Sequence, residues 1–205
     1  MPDRIVLFPG MGADQRLHGK LRLRREVVNL DWITFTPSWD LRAYASEYIR
    51  LGHIRPGDAV GGTSMGGMVA LGVASLIPVS EVVLISSCTH PRYISKFLKH
   101  LAPLAQYVPF GMAAKAPDAQ WLSKDALLLL DMARRAHPGF MRWAIRSILQ
   151  WPGYQGDAHI RSIHGSRDYI IPLGNRQVDK IIPGGGHFAV LSHAHQISSF
   201  LDGET

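Results

Sequence analysis

A serine set between glycines, Gly62-Thr63-Ser64-Met65-Gly66, is the stretch of this 205-residue sequence whose residue types and spacing could build a nucleophile. In G-x-S-x-G the chain turns so tightly that the positions flanking the serine must lack side chains, and the serine is held up with its Oγ exposed. The run 58–61 (DAVG) could end a buried strand, and 67–76 (GMVALGVASL) is apolar on nearly every side, as a helix buried in a sheet protein would be. The backbone N–H of Met65 would then lie at a helix N-terminus, where partial positive charge can meet an oxyanion. The chemistry open to such a serine is attack on an acyl carbonyl. In a chain with 20 glycines the same motif also reads as a glycine-rich turn with a capping serine, and its partners decide between the two.

A hydroxyl becomes a useful nucleophile only when a base takes its proton and a third group orients that base. Both are available further along the chain. Asp168 follows the strand-like run 158–164 (AHIRSIH) in the turn H-G-S-R-D, and His187 follows 177–182 (QVDKII) after Pro183 and three glycines. Ligands of parallel sheets gather beyond the carboxyl ends of the strands, so Ser64, Asp168 and His187 are expected to converge on one edge. The first strand, 4–8 (RIVLF), runs into Pro9-Gly10-Met11-Gly12-Ala13-Asp14. That loop lacks the G-x-G-x-x-G of a dinucleotide fingerprint, but it can offer the N–H of Met11 to a ligand, with Asp14 capping the segment that follows.

The elements that must position these groups alternate. Strand candidates at 4–8, 27–35, 58–61 and 81–87, with helices at 41–51 (capped by Asp40) and 67–76, predict an α/β fold with a mostly parallel sheet. From 89 to 154 the alternation stops. One amphipathic stretch covers 91–108, Ser123 caps a second, and a third begins after Pro138 with Phe140, Trp143, Ala144, Ile148 and Trp151 along one face. This predicts a single domain, 1–205, with 89–154 as a helical insertion whose aromatic stripe either packs into the core or lines a pocket. The chain closes with a helix over 188–201.

Bulk properties narrow the function. Apolar content of 46% and charged content of 19% read as globular, and no apolar run reaches bilayer-spanning length. The start, MPDRIVLFPGMG, lacks the apolar core and cleavage site of a signal peptide, and a single cysteine, Cys88, suits a reducing cytoplasm. A net charge of +6 invites a nucleic-acid partner, yet the basic residues are scattered apart from 20–25 (KLRLRR), which reads as a solvated face. His193 and His195 resemble an H-x-H metal pair but would point to different faces of a helix, so no metal site is expected. His164 reads as packed beside the Asp168 turn, Cys88 as a small buried residue, and 184–186 (GGG) as a loop that delivers His187.

With F-P-G-M-G at 8–12, G-T-S-M-G-G at 62–67, H-G-S-R-D-x-x-x-P at 164–172 and G-G-G-H at 184–187, the chain resembles the α/β-hydrolase-fold superfamily over almost its whole length. It looks like the small esterase, thioesterase and acyl-transfer members with a helical cap. Serine, aspartate, histidine is the order of that family. The resemblance implies Ser64 as nucleophile, His187 as base and then acid, Asp168 as the group orienting it, and the N–H groups of Met11 and Met65 as the oxyanion hole, with no cofactor. Three departures stand out: the sheet is shortened at the N-terminus, Pro9 stands where many members carry a histidine, and 169–186 leaves little room for a helix. The expected substrate is a small-molecule ester or thioester with a modest apolar acyl group. An acyl-CoA or carrier-bound thioester, which positive charge would suit, and a receptor-like hydrolase fold with little turnover are the alternatives.

Overall fold

Alternate residues of the first strand, β1 (Arg4–Phe8), belong to two different cores: Val6 and Phe8 to one, Ile5 and Leu7 to the other. A strand buried on both faces reads as a continuous apolar run, and here it forms part of a parallel sheet covered on both sides. The computed structural model describes residues 3–96 and 122–204. Among these, six strands form one sheet in the order β2-β1-β3-β4-β5-β6, every pair parallel, from β1, β2 (Glu26–Asn29), β3 (Ala59–Thr63), β4 (Glu81–Ile85), β5 (Ile160–Gly165) and β6 (Lys180–Ile182).

One face carries α1 (Leu41–Arg50), α2 (Met65–Ala74) and α4 (Pro138–Gln150); the other carries α5 (Ala189–Ser192), α6 (Ala194–Leu201) and Met132 of α3 (Lys124–Arg135). The helix α2 is buried on nearly every side because it lies between the sheet and α1, where Gly72 lets Ala45 approach. Asp14, Asp40 and Ser123 cap the segments that follow them, each side chain accepting a backbone N–H. The register sets Phe8 beside Gly62, Thr63 beside Ile85, Ile85 beside Ile163 and Gly165 beside Ile182. The loops leaving these strands therefore share one sheet edge.

Between β4 and β5 the described residues hold a 3-10 turn (Pro91–Tyr93), α3 and α4. The amphipathic stretch expected at 91–108 lies outside the described residues from 97 onward. The aromatic stripe of α4 is chiefly core: Phe140 and Trp143 are buried among Trp32, Phe35 and Tyr44, and Trp143 Nε1 donates to the Trp39 carbonyl at 2.9 Å.

Four expectations need correction. The strand expected at 27–35 ends at Asn29, because the carbonyls of Asp31 and Ile33 accept from the hydroxyls of Tyr48 and Tyr44 instead of from a neighbouring strand. The strand expected at 177–182 begins only at Lys180, since the Asp179 side chain takes the Ser162 N–H that a longer ladder would have used. The closing helix breaks at His193, which leaves helical geometry (φ −128°) with its ring nitrogen against Ser192 Oγ. Within the basic run 20–25, Arg25 is not solvated: it is buried and pairs with Glu81 at 2.7 Å.

Candidate active site

Ser64 stands at the junction of β3 and α2 with φ 56° and ψ −120°, a backbone that L-residues rarely adopt. The turn is held by its surroundings. Its N–H donates to the Ile85 carbonyl at 3.0 Å, and its own carbonyl accepts Ser87 Oγ at 2.6 Å and the Gly67 N–H at 3.0 Å. A side chain at Gly62 or Gly66 would run into the Phe8 carbonyl, which explains both glycines. Although Ser64 occupies the position before the helix, its Oγ makes no capping hydrogen bond, which disposes of the capping-serine reading. The N–H of Met65 is a first-turn donor with no intrahelical acceptor.

Beside the elbow, residues 10–13 form a turn closed by Ala13 N–H to the Gly10 carbonyl at 3.0 Å, with Gly12 at φ 78° in the position that demands glycine. That bond leaves the Met11 N–H unused by the turn. Gly10 lies against Ser64, and its carbonyl also accepts Trp32 Nε1 at 3.3 Å, so an indole from beyond β2 anchors the loop.

Asp168 and His187 meet at the far side of β4. Backbone passes against backbone where the two loops cross: a side chain on Gly165 would strike the Gly185 carbonyl, and Arg167 N–H donates to that carbonyl at 2.8 Å. Packing thus requires glycine at 165 and favours it at 185, where a Cβ would meet Ile182 at 2.9 Å, while Gly184 turns the run at φ 74°. Asp168 is 3% exposed; its Oδ1 accepts the N–H groups of Ile170 (2.9 Å) and Ile171 (2.8 Å), and its Oδ2 accepts His187 Nδ1–H at 2.8 Å. Burial opposes its ionisation, but hydrogen bonds from His164, His187 and the Ile171 amide outweigh burial and hold the carboxyl well below the usual carboxylate range. An ionised Asp168 fixes the tautomer of His187 with its proton on Nδ1, leaving Nε2 able to accept one. The structure joins Asp168 to His187; among the described residues no hydrogen bond links His187 Nε2 to Ser64 Oγ. Such bonds commonly tighten only when substrate is bound.

A model of the alpha/beta hydrolase family matches residues 5–199. The chain belongs to that family. Its fold is similar to a thermophilic esterase from Thermogutta terrifontis (17% identity, TM-score 0.75, 97% of this chain and 87% of that one). A bromoperoxidase from Bacillus anthracis (17% identity, TM-score 0.74, 98% and 91%) and an esterase from Exiguobacterium antarcticum (13% identity, TM-score 0.71, 97% and 90%) are similar in the same way. No curated protein matches the chain by sequence.

Sequence reasoning missed several residues that shape the candidate site. Trp32 and Ser87 brace the two backbone turns, and neither lies near Ser64 in sequence. His18 was also missed: it is 1% exposed, and its Nε2 lies 2.9 Å from Oγ1 of Thr63, the residue before Ser64. Burial pushes His18 down to about 4. The unfolded chain takes up this proton near pH 6.5 and the folded one only near 4, so stability is lost as pH falls between those values, by on the order of 3 kcal/mol. Thermal unfolding followed from pH 7 to 4 should show that slope, flattened in His18→Gln. An unchanged slope in the variant would refute the assignment.

Proposed function

We propose that the protein is a serine hydrolase that cleaves a carboxylic ester, or a thioester, through an acyl-enzyme. The observation that carries this reading is the Asp168–His187 hydrogen bond at the same sheet edge as a serine held in a strained elbow. Ser64 Oγ attacks the acyl carbonyl as His187 Nε2 takes its proton, and Asp168 stabilises the imidazolium that forms. The N–H groups of Met11 and Met65 receive the tetrahedral oxyanion, an interaction worth about 10²–10³ in turnover per donor. His187 returns the proton to the leaving alcohol or thiol, and water, activated in the same way, frees the acid.

The helices between β4 and β5, within the segment 89–154, serve in this reading as a cap. Next to the loop that carries Met11 lies a cavity of about 480 Å³ lined by Trp32, Phe35 and Phe140 together with Asp14, Asp31, Arg135 and His137. Within the basic run 20–25, Lys20, Arg24 and Arg25 pair with Asp125, Glu204 and Glu81, so that cluster does not by itself favour a coenzyme A thioester.

Labelling with a fluorophosphonate probe tests the reading without knowledge of the substrate. Wild type should label rapidly, Ser64→Ala not at all, and His187→Ala at least 10²-fold more slowly. Folded wild type that fails to label would overturn the hydrolase reading and bring forward that of a ligand-binding protein on the same fold.

A further inference from the structure

The strand next to the elbow also ends on a strained serine. Ser86, which follows β4, has φ 46°, and among the described residues only Ser64 and Ser86 combine a positive φ with a side chain. Thr63 and Ile85 are in register, so the two serines leave adjacent strands side by side. Each keeps its amide on the next strand: Ser64 N–H donates to the Ile85 carbonyl and Ser86 N–H to the Ile163 carbonyl, both at 3.0 Å. The Ser86 hydroxyl is buried and has no hydrogen-bond partner among the described residues, so it does not hold this backbone. The turn itself is what the neighbours use.

An extended chain would carry Ser87 about 7 Å beyond Ile85 along the sheet. With Ser86 turned, Ser87 instead lies against the start of α2, where a side chain on Gly67 would strike its hydroxyl. Residues 85 and 87 thereby grip Ser64 from both sides, the Ile85 carbonyl on its N–H and Ser87 Oγ on its carbonyl at 2.6 Å. Ser87 also reaches the other half of the site. Its carbonyl accepts Arg176 Nη1 at 3.0 Å, and Nη2 of the same guanidinium donates to the Ile171 carbonyl at 3.4 Å. The Ile171 N–H is one of the two amides on Asp168, and Asp168 holds His187. A path of hydrogen bonds thus joins Ser64 to the acid–base pair, although none links Ser64 Oγ to His187 directly.

We propose that the turn at Ser86 and Ser87, together with Arg176, is a strut that sets the spacing between the nucleophile and the acid–base pair. Ser86, Ser87 and Arg176 are then positioning residues for hydrolysis. Spacing matters because attack and proton transfer require reacting atoms within about 3–3.5 Å, and a displacement of about 1 Å can cost about 10²-fold in rate. The strut rests on the serine hydrolase reading for its consequence in turnover, but its hold on Ser64 is a property of backbone hydrogen bonds alone.

Two measurements test it. The first, amide hydrogen exchange read by NMR, needs no turnover. Ser87→Ala removes the hydroxyl on the Ser64 carbonyl, and Ser86→Val places a branched side chain where φ is positive. Both should speed exchange at the Ser64 N–H by about tenfold or more relative to Val83 inside β4. Ser86→Gly, which takes a positive φ freely, should leave Ser64 as protected as in wild type. Unchanged protection in Ser87→Ala, the milder change and the deciding one if Ser86→Val does not fold, would overturn the strut whether or not the protein is a hydrolase. The second is kinetic, on the hydrolysis of p-nitrophenyl acetate. Ser87→Ala and Arg176→Met should each lower kcat about tenfold with KM unchanged, and the double variant should lose about as much as the worse single one, because both break the same path. Losses that multiply to about 10²-fold, or a loss confined to KM, would overturn the positioning role. Wild type that neither hydrolyses the ester nor labels with a fluorophosphonate would refute the hydrolase reading instead, and the exchange data would still decide the strut.

Discussion

Asp168→Asn should lower kcat/KM for an activated ester such as p-nitrophenyl acetate by about 10³–10⁴-fold while leaving the fold intact, because it presents His187 with the wrong partner. The carboxylate accepts two amides on Oδ1 and His187 Nδ1–H on Oδ2, with His164 Nε2 3.3 Å from that second oxygen. An asparagine that keeps its oxygen toward Ile170 and Ile171 turns an amide N–H toward His187 Nδ1. That nitrogen must then accept, the proton moves to Nε2, and the base is lost. If the amide flips instead, its N–H groups confront two backbone donors, and buried donors are left unsatisfied at about 1–3 kcal/mol. Stability has a matching pH signature. The Asp168 carboxyl is held below its unfolded value despite burial, by His164, His187 and the Ile171 amide. Its contribution is therefore complete above about pH 4 and lost as pH falls through the folded value, so the gap in stability between wild type and Asp168→Asn should be widest near neutrality and close in acid. Activity within tenfold of wild type would remove Asp168 from the mechanism.

The candidate site was legible because its residues sit in turns whose chemistry is local. Ser64 needs glycines at 62 and 66, His187 arrives on a glycine run, and each candidate follows a run that forms part of the sheet. Strands β1, β3 and β4 were legible for a related reason: buried on both faces, they must be continuously apolar. The ends of β2 and β6 were not, because they are set by side chains elsewhere, the hydroxyls of Tyr44 and Tyr48 and the carboxylate of Asp179. The same holds for the braces. Trp32 reaches Gly10 and His18 reaches Thr63 only once the parallel sheet has been assembled, and nothing in the spacing of those residues announces it. His164 is an intermediate case. Its separation from Asp168 is short enough to suggest contact, yet whether it merely packs there or donates a hydrogen bond depends on where the Ile171 carbonyl lies.

Gly66→Ala separates local preference from tertiary demand most sharply, since the two predict opposite signs. Gly66 lies in the first turn of α2, and alanine is the better helix former by about 1 kcal/mol, so an isolated helix would gain stability. In the folded protein the new Cβ would fall against the carbonyl oxygens of Phe8 and Pro9, which are backbone atoms at the end of β1 and the start of the loop that carries Met11. Neither can rotate away as a side chain could. Relief requires α2 and that loop to part, which moves the N–H groups of Met65 and Met11 away from each other. Urea denaturation should therefore show Gly66→Ala destabilised by about 3 kcal/mol or more, with kcat/KM reduced at least 10²-fold in the protein that remains folded. Gly52→Ala and Gly57→Ala are the matched controls: both positions have positive φ (75° and 88°) but nothing within 4 Å of a new Cβ. They should cost about 1–2 kcal/mol of backbone strain and leave activity alone. If Gly66→Ala is as stable as wild type, the close approach of β1 to α2 does not exist in solution. The elbow would then owe its shape to Ser64 and its hydrogen bonds, not to the packing of the glycines around it.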